Sequence, residues 1–194
     1  MFGPGFERLL AQARRADEAA WTALYLDVVP VLRGYLVGRG CRSADDVVSE
    51  TMLQVVRDLH RFDGDERSFR SWVFAIAHHR MVDAVRYDQA RPADPADDEV
   101  LQRHGATASV EEPAIARLGS SEVEHLLAAA TPEQREVLLL RYVADLTLHE
   151  VAAVLGKEYN AVKALHRRAM GALREQATST EYPARASGAL TSSR

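Results

Sequence analysis

Residues 147–174 read TLHEVAAVLGKEYNAVKALHRRAMGALR, and this stretch limits the fold more than any other. Thr147 is a helix cap, and Leu148, Val151, Ala152 and Leu155 after it recur at helical spacing. Gly156 ends that helix, because glycine takes the positive φ of a helix stop at no steric cost. Lys157 and Glu158 form a short turn. A second stripe then begins, with Val162, Leu165, Ala169 and Leu173 at i, i+3, i+7 and i+11. Two such helices joined by a tight glycine-containing turn are a helix-turn-helix. From Tyr159 to Arg174 the second helix carries Lys163, Arg167, Arg168 and Arg174 and no acid, on a chain of formal net charge −4. Such a basic helix is either the solvated face of a helical hairpin or a surface that meets nucleic acid, and the local distribution of charge matters more than the total. As a DNA reader it places its N-terminal part at base edges in the major groove. Asn160, Lys163, His166 and Arg167 lie off the buried stripe there, and Lys157 stands in the turn before them. Lys163 and Arg167 are candidate base or phosphate contacts. Arg168 and Arg174, further along, are candidate phosphate anchors.

The remainder is also helical, since no segment alternates apolar and polar residues as a half-buried strand would. Asp17 caps a helix to about Gly38, kinked or divided at Pro30. A second helix starts at Ser43 or Ala44 and reaches about His60, with Val48, Met52, Val55 and Leu59 on one face. RFDGDERS reads as a loop. Ser68 caps a third helix, from Phe69 to about Asp88. Thr131-Pro132-Glu133 is a helix start, with a cap, a proline at the first position and an acid in the first turn. The expected fold is all-α: a helical unit over 1–91, a flexible acidic linker over 92–113, a second helical unit over 114–176 and a disordered tail over 177–194. The segment 91–118 holds three basic residues against six acidic ones and three prolines, a composition that does not build a core.

Composition removes several function classes. Cys41 is the single cysteine, so neither an internal disulfide nor a cysteine-cluster metal site is available. His78 and His79 are adjacent and point about 100° apart on a helix, a poor metal pair. HExxH, P-loop and nucleophile-elbow motifs are absent, so no catalytic residue, metal or cofactor is expected. No apolar run approaches the roughly 20 residues of a membrane span, so the expected setting is the cytoplasm, without membrane insertion.

The first unit contains SADDVVSETML, then SFRSWVFAIA, then HHRMVDAVR. These segments resemble region 2 of the sigma-70 family of transcription initiation factors, in its small extracytoplasmic-function group. LTLHEVAAVLGKEYNAVKALHRRAMGALR is similar to the family's region 4 helix-turn-helix. The resemblance covers about 17–91 and 114–176, in the family's order and with its linker between. It implies a bacterial protein that binds core RNA polymerase at the beta-prime clamp helices and beta flap, directs it to promoter DNA, and is held in check by an anti-sigma factor. Region 2 would hold the minus-10 element and region 4 would read the minus-35 element.

The same resemblance distributes the roles. Asp45, Asp46, Glu50 and Gln54 form the face that grips the clamp helices, although as residues alone they read as an ordinary solvated helix face. The loop HRFDGDERSF would hold a base flipped from the non-template strand, at an extraction cost of roughly a few kcal/mol offset by stacking and edge hydrogen bonds. Phe62, Asp63, Phe69 and Trp72 belong to that site; core packing is the competing reading for the aromatics. His78, His79, Arg80 and Arg86 lie on the third helix, where the family contacts promoter DNA. His79 stands where the family commonly has Asn, Asn160-Ala161 replaces Gly-Thr, and Leu165 replaces a frequent Arg. The preferred bases are therefore not transferable. A helix-turn-helix regulator working without polymerase core is the alternative; it leaves the acidic helix and the aromatic loop without a role.

Overall fold

The computed structural model describes residues 5–90 and 127–186. It is helical throughout, with no strand among these residues. The first unit consists of α1 (Phe6–Ala13), α2 (Glu18–Gly38), α3 (Ala44–Asp58), a 3-10 turn (Leu59–Arg61) and α4 (Glu66–Ala90). The second consists of α5 (Pro132–Leu138), a π-helical turn (Leu139–Val143), α6 (Leu148–Leu155) and α7 (Tyr159–Ala186). The segment expected to be a linker, together with the expected helix start near residue 114, lies outside the described residues.

Local chemistry accounts for most helix ends. Asp17 accepts a hydrogen bond from Ala20 N at 2.8 Å and caps α2. Thr131 and Thr147 each form a reciprocal capping box, with Gln134 and Glu150. Gly156 closes α6 in the left-handed conformation at φ 60°. The stripe Val48, Met52, Val55 and Leu59 is buried as its spacing requires, as are Val162, Leu165 and Ala169 on α7.

Four boundaries differ from expectation. Helix α1 was unmarked in the reading, although Phe6, Leu10 and Ala13 recur at helical spacing and are buried. Pro30 does not divide α2; the helix runs through it, held by Leu24, Val28, Val31 and Leu32 on either side. Helix α4 begins at Glu66 rather than Phe69. Asp65, not Ser68, is the cap, its carboxylate accepting from Ser68 N at 2.8 Å. That same hydrogen-bonded contact with Ser68 holds the Asp65 carboxyl below its ordinary value. Finally, the expected disorder from 177 is not observed as far as Ala186, because α7 continues to that residue.

The two units share a core. Helix α4 packs on α6, and the end of α2 packs on the π turn. Val154 is buried although it lies off the stripe that faces α7, because α4 covers it. Gly38 marks the closest approach: a Cβ there would sit 2.9 Å from Leu139 Cδ2.

Candidate nucleic-acid and polymerase interfaces

The helix-turn-helix is α6 and α7. Lys157 N donates to Ala152 O at 3.0 Å as the chain reverses. The rings of His149 and Tyr159 stack at 4.0 Å with an interplanar angle of 11°, tying the two helices together at the turn. With Val162, Leu165 and Ala169 inward, Asn160, Lys163, Arg167 and Arg174 are exposed along the opposite face, and Arg168 is exposed on its flank. No described residue pairs with Lys163 or Arg167. Lys157 is also exposed, and its Nζ lies 3.1 Å from Glu133 Oε1. His166 stands apart from the cations: its Nε2 is 3.0 Å from the Tyr142 hydroxyl. Burial, and then the charge of Arg141, lower its pKa below the ordinary value of 6.5. At neutral pH it is therefore an uncharged hydrogen-bonding group. Tyr142, half exposed beside the recognition helix, was not singled out in the sequence; nothing in a tyrosine after an arginine marks it for that position.

The loop before α4 is an aromatic stack. Phe62 lies over Trp72 with centroids 5.1 Å apart and planes 24° apart, and meets Phe69 edge-on at 5.5 Å. Phe69 in turn contacts Phe6 at 5.4 Å. Phe69 is only 1% exposed, so it underlies the site and has no face left for a base; the expectation that it lines the surface is corrected. Phe62 and Trp72 are half-buried, and Asp63 is exposed between them and solvent. Gly64 lets the loop close over itself, since a Cβ there would sit 2.9 Å from both Phe62 Cζ and Ser68 Cβ. From α1, the Arg14 guanidinium donates to the carbonyls of Leu59 and Phe62. That anchor was missed with its helix.

Along α4, His79 and Arg86 are exposed, Arg86 near Asp83. Arg80 turns toward α3 and donates through Nε and Nη2 to Gln54 Oε1, at 3.2 and 2.9 Å. Two residues assigned to different partners are thus bonded to each other. His78 faces inward, 15% exposed in its side chain, with Nδ1 3.0 Å from Glu136 Oε1 of the second unit. In this arrangement it does not face solvent as a DNA contact would.

On α3, Asp45, Asp46 and Glu50 are exposed. Asp45 pairs with Arg33 at 2.8 Å. Leu53 and Val56 are also exposed, by 55% and 51%, and put an apolar strip beside the acids. Their signal was readable: both fall off the Val48–Met52–Val55 stripe. No described helix is long and apolar enough to cross a membrane, and no described group of His, Cys, Asp and Glu is placed to hold a metal.

An acidic and apolar helix face in one unit and a basic recognition helix in the other define a promoter-specificity subunit, one side for polymerase and one for DNA. Family comparison agrees: residues 21–91 match Sigma-70 region 2, and residues 126–175 match Sigma-70, region 4. The ECF RNA polymerase sigma factor SigD of Mycobacterium tuberculosis is 30% identical over 185 residues, covering 91% of this chain and 85% of that one. The ECF RNA polymerase sigma factor ShbA of Streptomyces griseus is 30% identical over 175 residues, covering 86% and 92%. Among solved structures, CnrH in complex with the cytosolic domain of CnrY superimposes with a TM-score of 0.55 at 25% identity, covering 88% of this chain and 96% of that one. The sigma factor RpoE in complex with the anti-sigma factor NepR from Bartonella quintana shares the fold, with a TM-score of 0.58 at 18% identity, covering 81% and 96%.

The chain belongs to the sigma-70 family, within its extracytoplasmic-function (ECF) group. As a member it binds core RNA polymerase and directs promoter-specific initiation. The alternative of a regulator acting without polymerase core falls, because the first unit is itself a sigma region 2.

Proposed function

We propose that the two units divide promoter recognition. The first, through Asp45, Asp46, Glu50 and Gln54 with Leu53 and Val56, docks on the clamp helices of core polymerase. The acids suit a basic partner, and the exposed leucine and valine supply apolar area to bury. Its loop and α4 then hold the minus-10 element. Phe62 and Trp72 offer stacking faces and Asp63 an acceptor for base edges, while His79, Arg80 and Arg86 meet the strand. The second unit, near the beta flap, reads the minus-35 element with Asn160, Lys163 and Arg167 at base edges or phosphates, Arg168, Arg174 and Lys157 at phosphates, and neutral His166 as a hydrogen-bonding group. The observation that carries this assignment is the exposed, unpaired basic face of α7 opposite its buried stripe. The setting is the cytoplasm, where polymerase acts. The likeness to CnrH, whose structure holds the cytosolic domain of CnrY, supports a partner of anti-sigma type for this chain.

The test is transcription in vitro with core polymerase and genomic fragments. Starts sharing two upstream elements at fixed spacing are expected. Polymerase binding without specific starts refutes the assignment.

A further inference from the structure

A buried carboxylate joins the two units. Glu136 lies on α5 of the second unit and is 5% exposed. All of its side-chain partners among the described residues come from the first unit. Tyr35 at the end of α2 donates its hydroxyl to Oε1 at 3.3 Å. Arg39, just beyond α2, donates from Nη2 to Oε2 at 3.3 Å and places Nε 3.2 Å from Oε1. His78 of α4 places Nδ1 3.0 Å from Oε1. Tyr35 is wholly buried, its ring edge-on to Phe74 at 5.5 Å. Burial, and then the neighbouring Glu136 charge, hold the Tyr35 hydroxyl protonated well above 10.0. Burial pushes Glu136 up, but the His78 hydrogen bond and the Arg39 guanidinium outweigh it, and the net displacement is downward. The carboxylate is thus charged, buried and satisfied only across the contact, which makes it costly to leave in place without the first unit beside it.

Around this centre the contact is tight. Arg70 Nη1 meets Asp145 Oδ2 at 2.9 Å, and Arg67 Nη1 lies 3.6 Å from Glu150 Oε2. Gly38 abuts Leu139 with no room for a Cβ. Trp72 borders a groove against Glu150, Ala153 and Val154 of α6. The contact therefore takes up His78 and Trp72, two residues assigned above to the minus-10 surface. It leaves Asp45, Asp46, Glu50, Leu53 and Val56 exposed on α3, and Asn160, Lys163 and Arg167 exposed on α7.

We propose that this contact is an autoinhibitory clasp, in which Glu136 holds the second unit against the minus-10 surface of the free chain while the polymerase-facing helix stays open. The inference rests on the assignment of the minus-10 surface made above. Its consequence is an order of events: the chain docks on polymerase closed, and Glu136 must leave Tyr35, Arg39 and His78 before a promoter strand reaches Trp72 and His78. Apparent affinity for that strand is reduced by the fraction of molecules that are closed.

The experiment uses the full chain and three variants outside the DNA- and polymerase-binding sets: Gly38→Val, which wedges Leu139; Glu136→Gln, which removes the charge; and Arg39→Ala, which removes a donor. X-ray scattering gives the radius of gyration, fluorescence anisotropy the affinity for a single-stranded oligonucleotide carrying the minus-10 element, and a pull-down the affinity for core polymerase. Circular dichroism selects the variants that keep their helicity. Expected are a compact wild type, a larger radius in the variants, oligonucleotide affinity raised on the order of tenfold, and polymerase affinity unchanged. A wild type already extended, or variants that expand without gaining affinity, overturns the clasp. Failure of the underlying assignment has a different signature: wild-type chain with core polymerase then gives no promoter-directed starts, whatever the radius.

Discussion

Replacing Lys163 and Arg167 together by alanine isolates the electrostatic part of minus-35 recognition. Both side chains are exposed and neither pairs with a described residue, so their loss removes no contact that holds the fold. Exposed substitutions of this kind stay within about 0.5 kcal/mol of wild-type stability. Each phosphate that a cation neutralises contributes about 0.9 to the slope of log affinity against log salt. Two lost contacts therefore flatten the slope by about 1.8. Over a fourfold rise in salt, from about 50 to 200 mM, the wild type should lose roughly 12-fold more affinity than the double variant. The assay is fluorescence anisotropy of holoenzyme on a duplex carrying the minus-35 element, repeated across that salt range. Polymerase affinity should not change. An unaltered salt slope refutes the placement of α7 on the phosphates. An altered slope accompanied by loss of polymerase binding refutes the separation of the two surfaces.

Three other outcomes follow from the geometry. Thr147→Ala removes the acceptor of the α6 capping box, which takes Glu150 N at 3.3 Å, and should cost about 1 kcal/mol, lowering Tm by about 2–4 °C. Gly64→Ala forces a Cβ to 2.9 Å from Ser68 Cβ, and overpacking of about 1–3 kcal/mol should open the aromatic loop; permanganate reactivity of minus-10 thymines should fall while polymerase affinity holds. Glu136 has a folded-state pKa below its ordinary 4.5, so its stabilisation is complete above that value and is lost as pH falls through the depressed one. The Tm gap between wild type and Glu136→Gln should therefore be widest near neutrality and shrink on acidification below about 4.5, and a gap that widened with acid would contradict the sign.

What could be read from the chain was whatever local chemistry settles. The α3 stripe, the α7 stripe, both threonine caps and the Gly156 stop depend on residues within one or two turns of each other. Glu136 illustrates the opposite case. On its own helix it is an acid one turn past a cap, and only the first unit, about a hundred residues away in sequence, makes it buried. Val154 escapes the heptad-like pattern for the same reason, since α4 covers a face that α7 does not. Phe69 was read as a possible base contact because it sits in an aromatic loop, but Phe6 of the overlooked α1 closes its other side. For the site itself, the basic face of α7 was legible in full, the acidic face of α3 only without its Leu53 and Val56, and the inward turn of His78 not at all.

The π-helical turn at Leu139–Val143 acts as a length gauge. Ala144 N reaches back to Leu139 O at 3.1 Å and Leu146 N to Leu140 O at 3.1 Å, spans longer than an α-helix allows. The widening absorbs one residue, so that Leu139 and Leu140 point into the core while Tyr142, two positions on, stands beside the recognition helix. Deleting any one residue from this turn would tighten it to α-helical pitch and rotate everything after it by about 100°. Tyr142 would leave His166, and α6 would no longer present Val154 to α4. Substitutions can drift through these five positions; a change in their number cannot.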